Sequence, residues 1–211
     1  ANYLAIASDQ EIHSIAVATY VMGLNKKDEC IEGDMTSHEG WGSFIPLSGT
    51  DVCIKIAQRK KLPVEVQLEL AKNTEQTVVV ALASNTGLAE IAQTELTKNG
   101  SVDVLVAIAK NPSLTESIQN HLFNTGNAKV KASLATNVSL VIDIKRKLSQ
   151  DFDLDIKMAL AENISIENEI IAILESDKDA RVRAALAKNS SLTGDKQIKI
   201  SKDELKVRVG L

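Results

Sequence analysis

The chain has 211 residues, 44% of them hydrophobic and six aromatic, with 28 acidic against 24 basic side chains and a net charge of −4. That apolar content excludes a disordered chain, and two cysteines, Cys30 and Cys53, neither in a CxxC pair, exclude a disulfide scaffold. The most apolar stretch, Tyr3 to Val21, is broken by Ser8, Asp9, Gln10, Glu11 and His13; a spanning helix needs roughly 18–20 apolar residues, so a membrane protein is not expected.

Residues 1–27 begin with Leu4-Ala5-Ile6-Ala7-Ser8-Asp9, an imitation of a motif that recurs later, followed by Ile12, Ile15 and Val21 as the apolar positions of a second helix. They read as a degenerate N-terminal capping repeat, since the terminal repeats of a stacked array are atypical. The first residue is Ala, and no basic stretch precedes an apolar core, so a signal sequence is absent or already removed. Cytoplasm is the expected compartment, with secretion or the periplasm left open.

Residues 28–51 break the pattern. They hold four of the ten glycines, one of the three prolines and the single tryptophan, and read as an inserted Gly-rich acidic loop. The first 51 residues carry eight acidic and two basic side chains, leaving a balance of +2 for the rest. Loops longer than about 12–15 residues are usually functional or disordered. Trp41 and Phe44, with Glu39 close by, either cover the open end of the first repeat or anchor a partner, because tryptophan is enriched at binding hot spots. Cys30, Asp34, His38, Glu39 and Cys53 are residue types that bind zinc; as loop polar residues plus a partly buried Cys53 they need no metal, and none is expected. A Cys30–Cys53 disulfide is a third reading, conditional on an oxidising compartment. No phosphate-cradling loop and no GxSxG or HExxH motif occurs. His13 and His121 have no visible partner, so neither catalysis nor a cofactor is expected.

From residue 52 onward the sequence repeats. VVVALASN (78–85), VLVAIAKN (104–111), VKASLATN (130–137), IKMALAEN (156–163) and VRAALAKN (182–189) place Asn85, Asn111, Asn137, Asn163 and Asn189 at a constant spacing of 26, and VCIKIAQR (52–59) is an earlier copy with Arg59 in the Asn column. Val182, Ala185, Leu186 and Asn189 fall at i, i+3, i+4 and i+7, the spacing of one helical face. Asn73, Asn99, Thr125, Asp151, Asp177 and Asp203 precede these helices and are expected as N-caps. The Asn column suits the left-handed conformation at a helix end, and its amides suit bonds to backbone of the next repeat; its role is structural. Pro63 and Pro112 mark the start of a second short helix. Each repeat is therefore a pair of short helices, and the expected fold is an all-α, right-handed α-solenoid of 26-residue repeats. Six repeats and a terminal half-repeat, VRVGL (207–211), span 52–211, and either the natural chain continues or something else covers that half-repeat.

The blocks VRAALAKNSSLT (182–193) and VLVAIAKNPSLT (104–115) resemble the leucine-rich repeat variant family. Val182, Arg183, Ala185, Ala187, Asn189 and Leu192 fit its pattern, as do Asn111, Pro112 and Leu114, while Pro63 holds the family's last proline in the first repeat. The repeat here is longer than the family's usual one, and proline appears in only two copies. The resemblance covers 52–211 and implies an α-helix paired with a short second helix, in the manner of HEAT-like solenoids, which serve mostly as scaffolds.

A single pair of short helices cannot bury its own apolar stripe, so the repeats must stack. At roughly 8–10 Å per helix, six would form a curved rod of about 50–60 Å with a concave face. Lys131, Lys157, Arg183 and Arg208, accompanied by Lys129, Arg181 and Lys206, form a basic ladder along one face. Such a stripe suits an acidic partner or a phosphate backbone, but Asp151, Asp155, Asp177, Asp179, Asp203 and Glu204 lie beside it. The expected function is a non-enzymatic scaffold binding a protein or peptide through its concave face and the 28–51 loop. Its contact residues would be Trp41, Phe44, Glu39, Lys131, Lys157, Arg183 and Arg208. Two alternatives are a HEAT-like nucleic-acid-binding protein using the ladder and a metal-dependent enzyme centred on the loop.

Overall fold

Two kinds of short helix alternate along the described residues, and an Asn turn closes those of one kind. The computed structural model describes residues 49–98 and 100–209, without the side chains of Val52 and of residues 202–209. The described residues form twelve helices and no strand. The chain divides into two units, up to Gly100 and from Ser101 onward.

The first unit contains α1 (Gly49–Ala57), α2 (Val64–Ala71), α3 (Gln76–Ala83) and α4 (Glu90–Lys98). The helix α1 starts three residues before the boundary expected at 52. It packs on α3, and α2 packs on α4. The second unit contains α5 (Val102–Ala109), α6 (Glu116–Thr125), α7 (Ala128–Ala135), α8 (Ile142–Ser149), α9 (Leu154–Ala161), α10 (Asn168–Glu175), α11 (Ala180–Ala187) and α12 (Gly194–Val209). There α5, α7, α9 and α11 lie side by side in one layer, and α6, α8 and α10 in another.

A helix of eight residues is marginal alone in water, so packing must hold it. Val130, Leu134, Ile156, Leu160, Val182 and Leu186 supply the core of the first layer, and Leu122, Ile144, Leu148, Ile170 and Leu174 that of the second, all 0–1% exposed. Full burial of each such side chain contributes about 1.5–3 kcal/mol. Within each unit, neighbouring helices of one layer meet through these apolar faces.

The Asn column ends the first-layer helices, though not through a left-handed residue: among the described residues, only Gly100 has positive φ. Instead the Asn backbone N–H donates three residues back, as Asn137 does to Leu134 at 2.9 Å and Asn163 to Leu160 at 3.1 Å. Its side-chain Oδ1 then accepts from the N–H two residues on, Ser139 at 2.9 Å and Ser165 at 2.8 Å. The Nδ2 amide reaches the preceding repeat, not the next, and spends both hydrogens there. Asn137 donates to the carbonyls of Ala109 and Asn111, each at 2.8 Å; Asn163 to those of Ala135 and Asn137, at 2.7 and 2.9 Å; Asn189 to those of Ala161 and Asn163, at 2.7 and 2.9 Å. In the first unit Asn85 donates likewise to Ala57 and Arg59, at 2.6 and 2.7 Å. These bonds set the C-terminal ends of adjacent first-layer helices beside one another. A salt bridge between Lys129 and Asp103, at 3.4 Å, does the same for the N-terminal ends of α7 and α5. Within the second unit the first-layer helices are therefore parallel.

The cap column lies two residues later than the sequence suggested. The N-caps are Glu75, Ser101, Asn127, Asp153 and Asp179. Asn127 accepts from Val130 N–H at 3.0 Å, Asp153 from Asp155 at 2.9 Å and Asp179 from Arg181 at 2.8 Å. Asn73, Asp151 and Asp177 instead close the turn before the cap, each accepting from the N–H two residues on. Asp203 lies inside α12, which runs on to Val209, so no helix starts after it and the expected restart at 207 stays in the same helix.

Gly126, the C-cap of α6, has φ −69° and ψ 143°, a conformation open to any residue. Space is what requires glycine there, since a Cβ would lie 2.9 Å from Val130 Cγ1 and collide with the Leu122 carbonyl. Gly126→Ala is expected to cost about 1–3 kcal/mol, read as a lower urea midpoint. An unchanged midpoint would show that the α6–α7 junction relaxes freely.

Candidate partner-binding surface

The outward face of the first-layer helices carries small and half-exposed apolar residues. Ile54 and Val80 stand in one repeat column in the first unit, and Val106, Ala132, Met158 and Ala184 continue the same column in the second; all are partly exposed. Each unit contains a shallow groove on this face. In the first, about 450 Å³ lies between α1 and α3, bordered by Gln58, Thr77, Val80, Ala81 and Ser84. In the second, about 420 Å³ lies over α7 between its neighbours, bordered by Lys110, Lys129, Ala132, Ser133 and Thr136. These residues correspond in pairs 52 positions apart: Gln58 with Lys110, Thr77 with Lys129, Val80 with Ala132, Ala81 with Ser133, Ser84 with Thr136. The groove is thus a property of the repeat, and its chemistry varies from copy to copy. The first has neutral rims apart from Lys60, whereas the second sets Lys110 and Lys129 against Asp153 and Asp155.

The residues of the basic ladder have partners within the chain. The Nζ of Lys131 lies 5.2 Å from the ring centre of Phe123, and that of Lys147 5.4 Å from the same ring, both cation–π distances. Lys157 pairs with Asp177 at 2.7 Å, with the two side chains 16% and 11% exposed. Arg183 donates from Nη1 to the Asp177 carbonyl at 2.6 Å. The side chain of Arg208 lies outside the described residues, as do Trp41, Phe44, Glu39, Cys30, Asp34, His38 and His13. Cys53 is a buried thiol on α1, 2% exposed, and burial pushes its pKa up; that favours the protonated, packed form over a metal-binding thiolate. His121 is exposed on α6. Among the described residues, no group of three or more His, Cys, Asp or Glu side chains is placed to hold a metal ion.

Beside the ladder, Arg181 and Asp179 form a pair at 2.9 Å. The Arg181 guanidinium, helped by its backbone N–H, holds the Asp179 carboxyl down to about 2. A carboxyl lowered on folding stabilises the fold above its unfolded value of about 3.9, and loses that contribution as pH falls towards the folded value. Asp179→Asn is therefore expected to lower the melting temperature at pH 7, with the gap to wild type narrowing below pH 4. A gap of constant size from pH 7 to pH 2 would refute this account.

A second buried column escaped the sequence reading. Gln67 and Gln119, like Gln93 between them, occupy one repeat position and are 1–2% exposed. Gln119 Nε2 donates to the carbonyls of Leu114 and Ser139, at 3.2 and 3.0 Å, while its Oε1 accepts from Val141 N–H at 2.9 Å. Gln67 does the same with Leu62, Gly87 and Ala89. In the next copy the position is Lys145, whose Nζ donates to the Ser165 carbonyl at 2.5 Å and to Glu167 at 2.9 Å. The signal was present in the sequence as glutamines at 67, 93 and 119, spaced by 26. Gln197 recurs at that position in the last copy, where it donates to the Asn189 carbonyl at 2.7 Å. In the earlier copies the carbonyl at that position accepts from the Asn of the following repeat.

No protein-family model, no curated protein and no solved structure matches this chain.

Proposed function

We propose that the chain is a right-handed α-solenoid of 26-residue helix pairs that acts as a non-enzymatic scaffold. It binds a protein or peptide partner along the face of its first-layer helices, with residues 28–51, and Trp41 and Phe44 in particular, adding contacts. The observation that carries this reading is the recurrence of one groove at the same repeat positions in both units, with different side chains on its rims. A groove that recurs at shared repeat positions with varied chemistry suits the reading of one extended segment, a few residues per repeat. The resemblance to leucine-rich repeat variant and HEAT-like proteins points the same way, though fold alone does not specify function. No helix of the described residues is long and apolar enough to cross a membrane, and the cytoplasm is the compartment that goes with this proposal. Nucleic-acid binding has less support, because Lys157 and Arg183 are engaged with Asp177.

Selection of a displayed random-peptide library on the intact chain tests the proposal. Peptides with a shared motif are expected, and Ala132→Tyr, which fills the second groove from its floor, is expected to weaken them at least tenfold while leaving the melting temperature unchanged. Trp41→Ala with Phe44→Ala should weaken a further subset. Selection of no motif, or of peptides indifferent to both changes, would remove this reading.

A further inference from the structure

The turn that closes the first-layer helices carries a second sequence pattern. Asn137-Val138-Ser139, Asn163-Ile164-Ser165 and Asn189-Ser190-Ser191 are each Asn-x-Ser with x other than proline, the acceptor sequence for N-linked glycan transfer, which ordinarily marks a surface loop. Pro112 disqualifies Asn111-Pro112-Ser113, and in Asn99-Gly100-Ser101 the asparagine lies outside the described residues. In all three described acceptors the asparagine is buried, at 1%, 3% and 3% exposure. Each Nδ2 gives its two hydrogens to two carbonyls of the preceding repeat, at distances between 2.7 and 2.9 Å.

Transfer from a lipid-linked oligosaccharide forms a bond between Nδ2 and the anomeric carbon. It breaks the bond from that carbon to the lipid pyrophosphate and releases one Nδ2 hydrogen as a proton. The product amide keeps a single hydrogen, which cannot serve two carbonyls, and its sugar would have to occupy the space those carbonyls fill. A buried acceptor left unpaired costs about 1–3 kcal/mol even before the sugar's bulk is considered. The acceptor sequence, by contrast, is fully available on an unfolded chain.

We infer that this fold and glycosylation of Asn137, Asn163 and Asn189 exclude each other, and that the protein's native compartment is one without oligosaccharyl transfer to nascent chains. The inference does not depend on the partner-binding proposal. It excludes a secretory route that glycosylates nascent chains, which composition and cysteine content left open.

The test directs the intact chain into the secretory pathway of a eukaryotic cell behind a cleavable signal peptide. A second chain carries Ser139→Ala, Ser165→Ala and Ser191→Ala, which delete the acceptors but retain every asparagine, and both chains carry Asn99→Gln. The three alanines remove only hydroxyls, of which Ser191 Oγ alone makes a hydrogen bond, to Asn189 Oδ1 at 2.7 Å; folding of both chains in bacterial cytoplasm is verified first. The first chain is expected to gain glycans at one or more of the three asparagines and to be retained unfolded, and the second to be secreted with the melting temperature of the bacterial product. Secretion of the first chain in a folded state, glycosylated or bare, would overturn the inference. So would equal retention of both chains.

Discussion

Asn163→Ala is expected to destabilise the second unit by about 4 kcal/mol, one of the largest effects of any single polar substitution here. Asn163 is 3% exposed and holds three backbone groups: the Ala135 and Asn137 carbonyls through Nδ2, and the Ser165 N–H through Oδ1. Alanine leaves all three without these bonds, the two carbonyls in buried positions and the Ser165 N–H in a partly buried one, and each such loss costs about 1–3 kcal/mol. The total stays below the maximum because the Asn137 carbonyl also accepts from Leu140 N–H at 3.2 Å. Urea denaturation would measure the loss, and amide exchange would place it at the α7–α9 junction. Asn163→Asp makes a sharper comparison: it keeps the acceptor for Ser165 but removes both donors and buries a charge. Its stability should recover in part as pH falls and the carboxyl takes up a proton. A loss below about 1 kcal/mol for Asn163→Ala would mean that the repeats are held by apolar packing alone, with the Asn column contributing little.

Lys145→Met is expected to cost about 2 kcal/mol, whereas Lys145→Gln combined with Glu167→Val should leave stability equal to or above wild type. The Lys145 side chain is 3% exposed and Glu167 41%. Removal of the lysine strips a partner from Glu167 and from the Ser165 carbonyl. A fully buried pair would lose about 3–5 kcal/mol on losing one member, and the exposure of Glu167 reduces that figure. The pair is nevertheless not the best solution for the site. Glu167 Oε2 is buried with no hydrogen-bond partner, and the desolvation of two charges offsets much of their attraction. The preceding copy meets the same backbone requirement with Gln119 opposite Val141, using no charge. The double substitution transplants that arrangement one repeat along. Thermal melts of the single and double variants form a mutant cycle, and a double variant no more stable than Lys145→Met would show that the two copies are not interchangeable.

The helices were legible in the sequence because their cause is local and periodic. The spacing of Val130, Leu134 and Asn137 recurs in the five copies from 78 to 189, and a residue that returns every 26 positions answers a need those copies share. The role of the Asn column as a structural element was legible for the same reason. Its partners were not: the Ala109 and Asn111 carbonyls lie 28 and 26 residues from Asn137, and a period identifies a column without saying which backbone atoms it meets.

The same limit explains the displaced caps and the missed glutamines. Asp151 and Asp153 are both competent caps, and the choice of Asp153 depends on where α9 begins after the turn that Asp151 closes. Gln119 is an ordinary polar residue of an amphipathic helix until a neighbouring repeat brings the Ser139 carbonyl within reach. The basic ladder is the converse case: sequence aligned Lys131, Lys157 and Arg183, but only packing placed Phe123 and Asp177 against them. The sequence by itself determined the helical character of the described residues, the 26-residue recurrence of their side chains and the residues that end the first-layer helices, because these follow from side-chain spacing and backbone hydrogen bonding within a few residues. Tertiary structure alone decided which carbonyls the buried amides satisfy, which charges are neutralised and where the grooves lie, because each depends on groups brought together from different repeats.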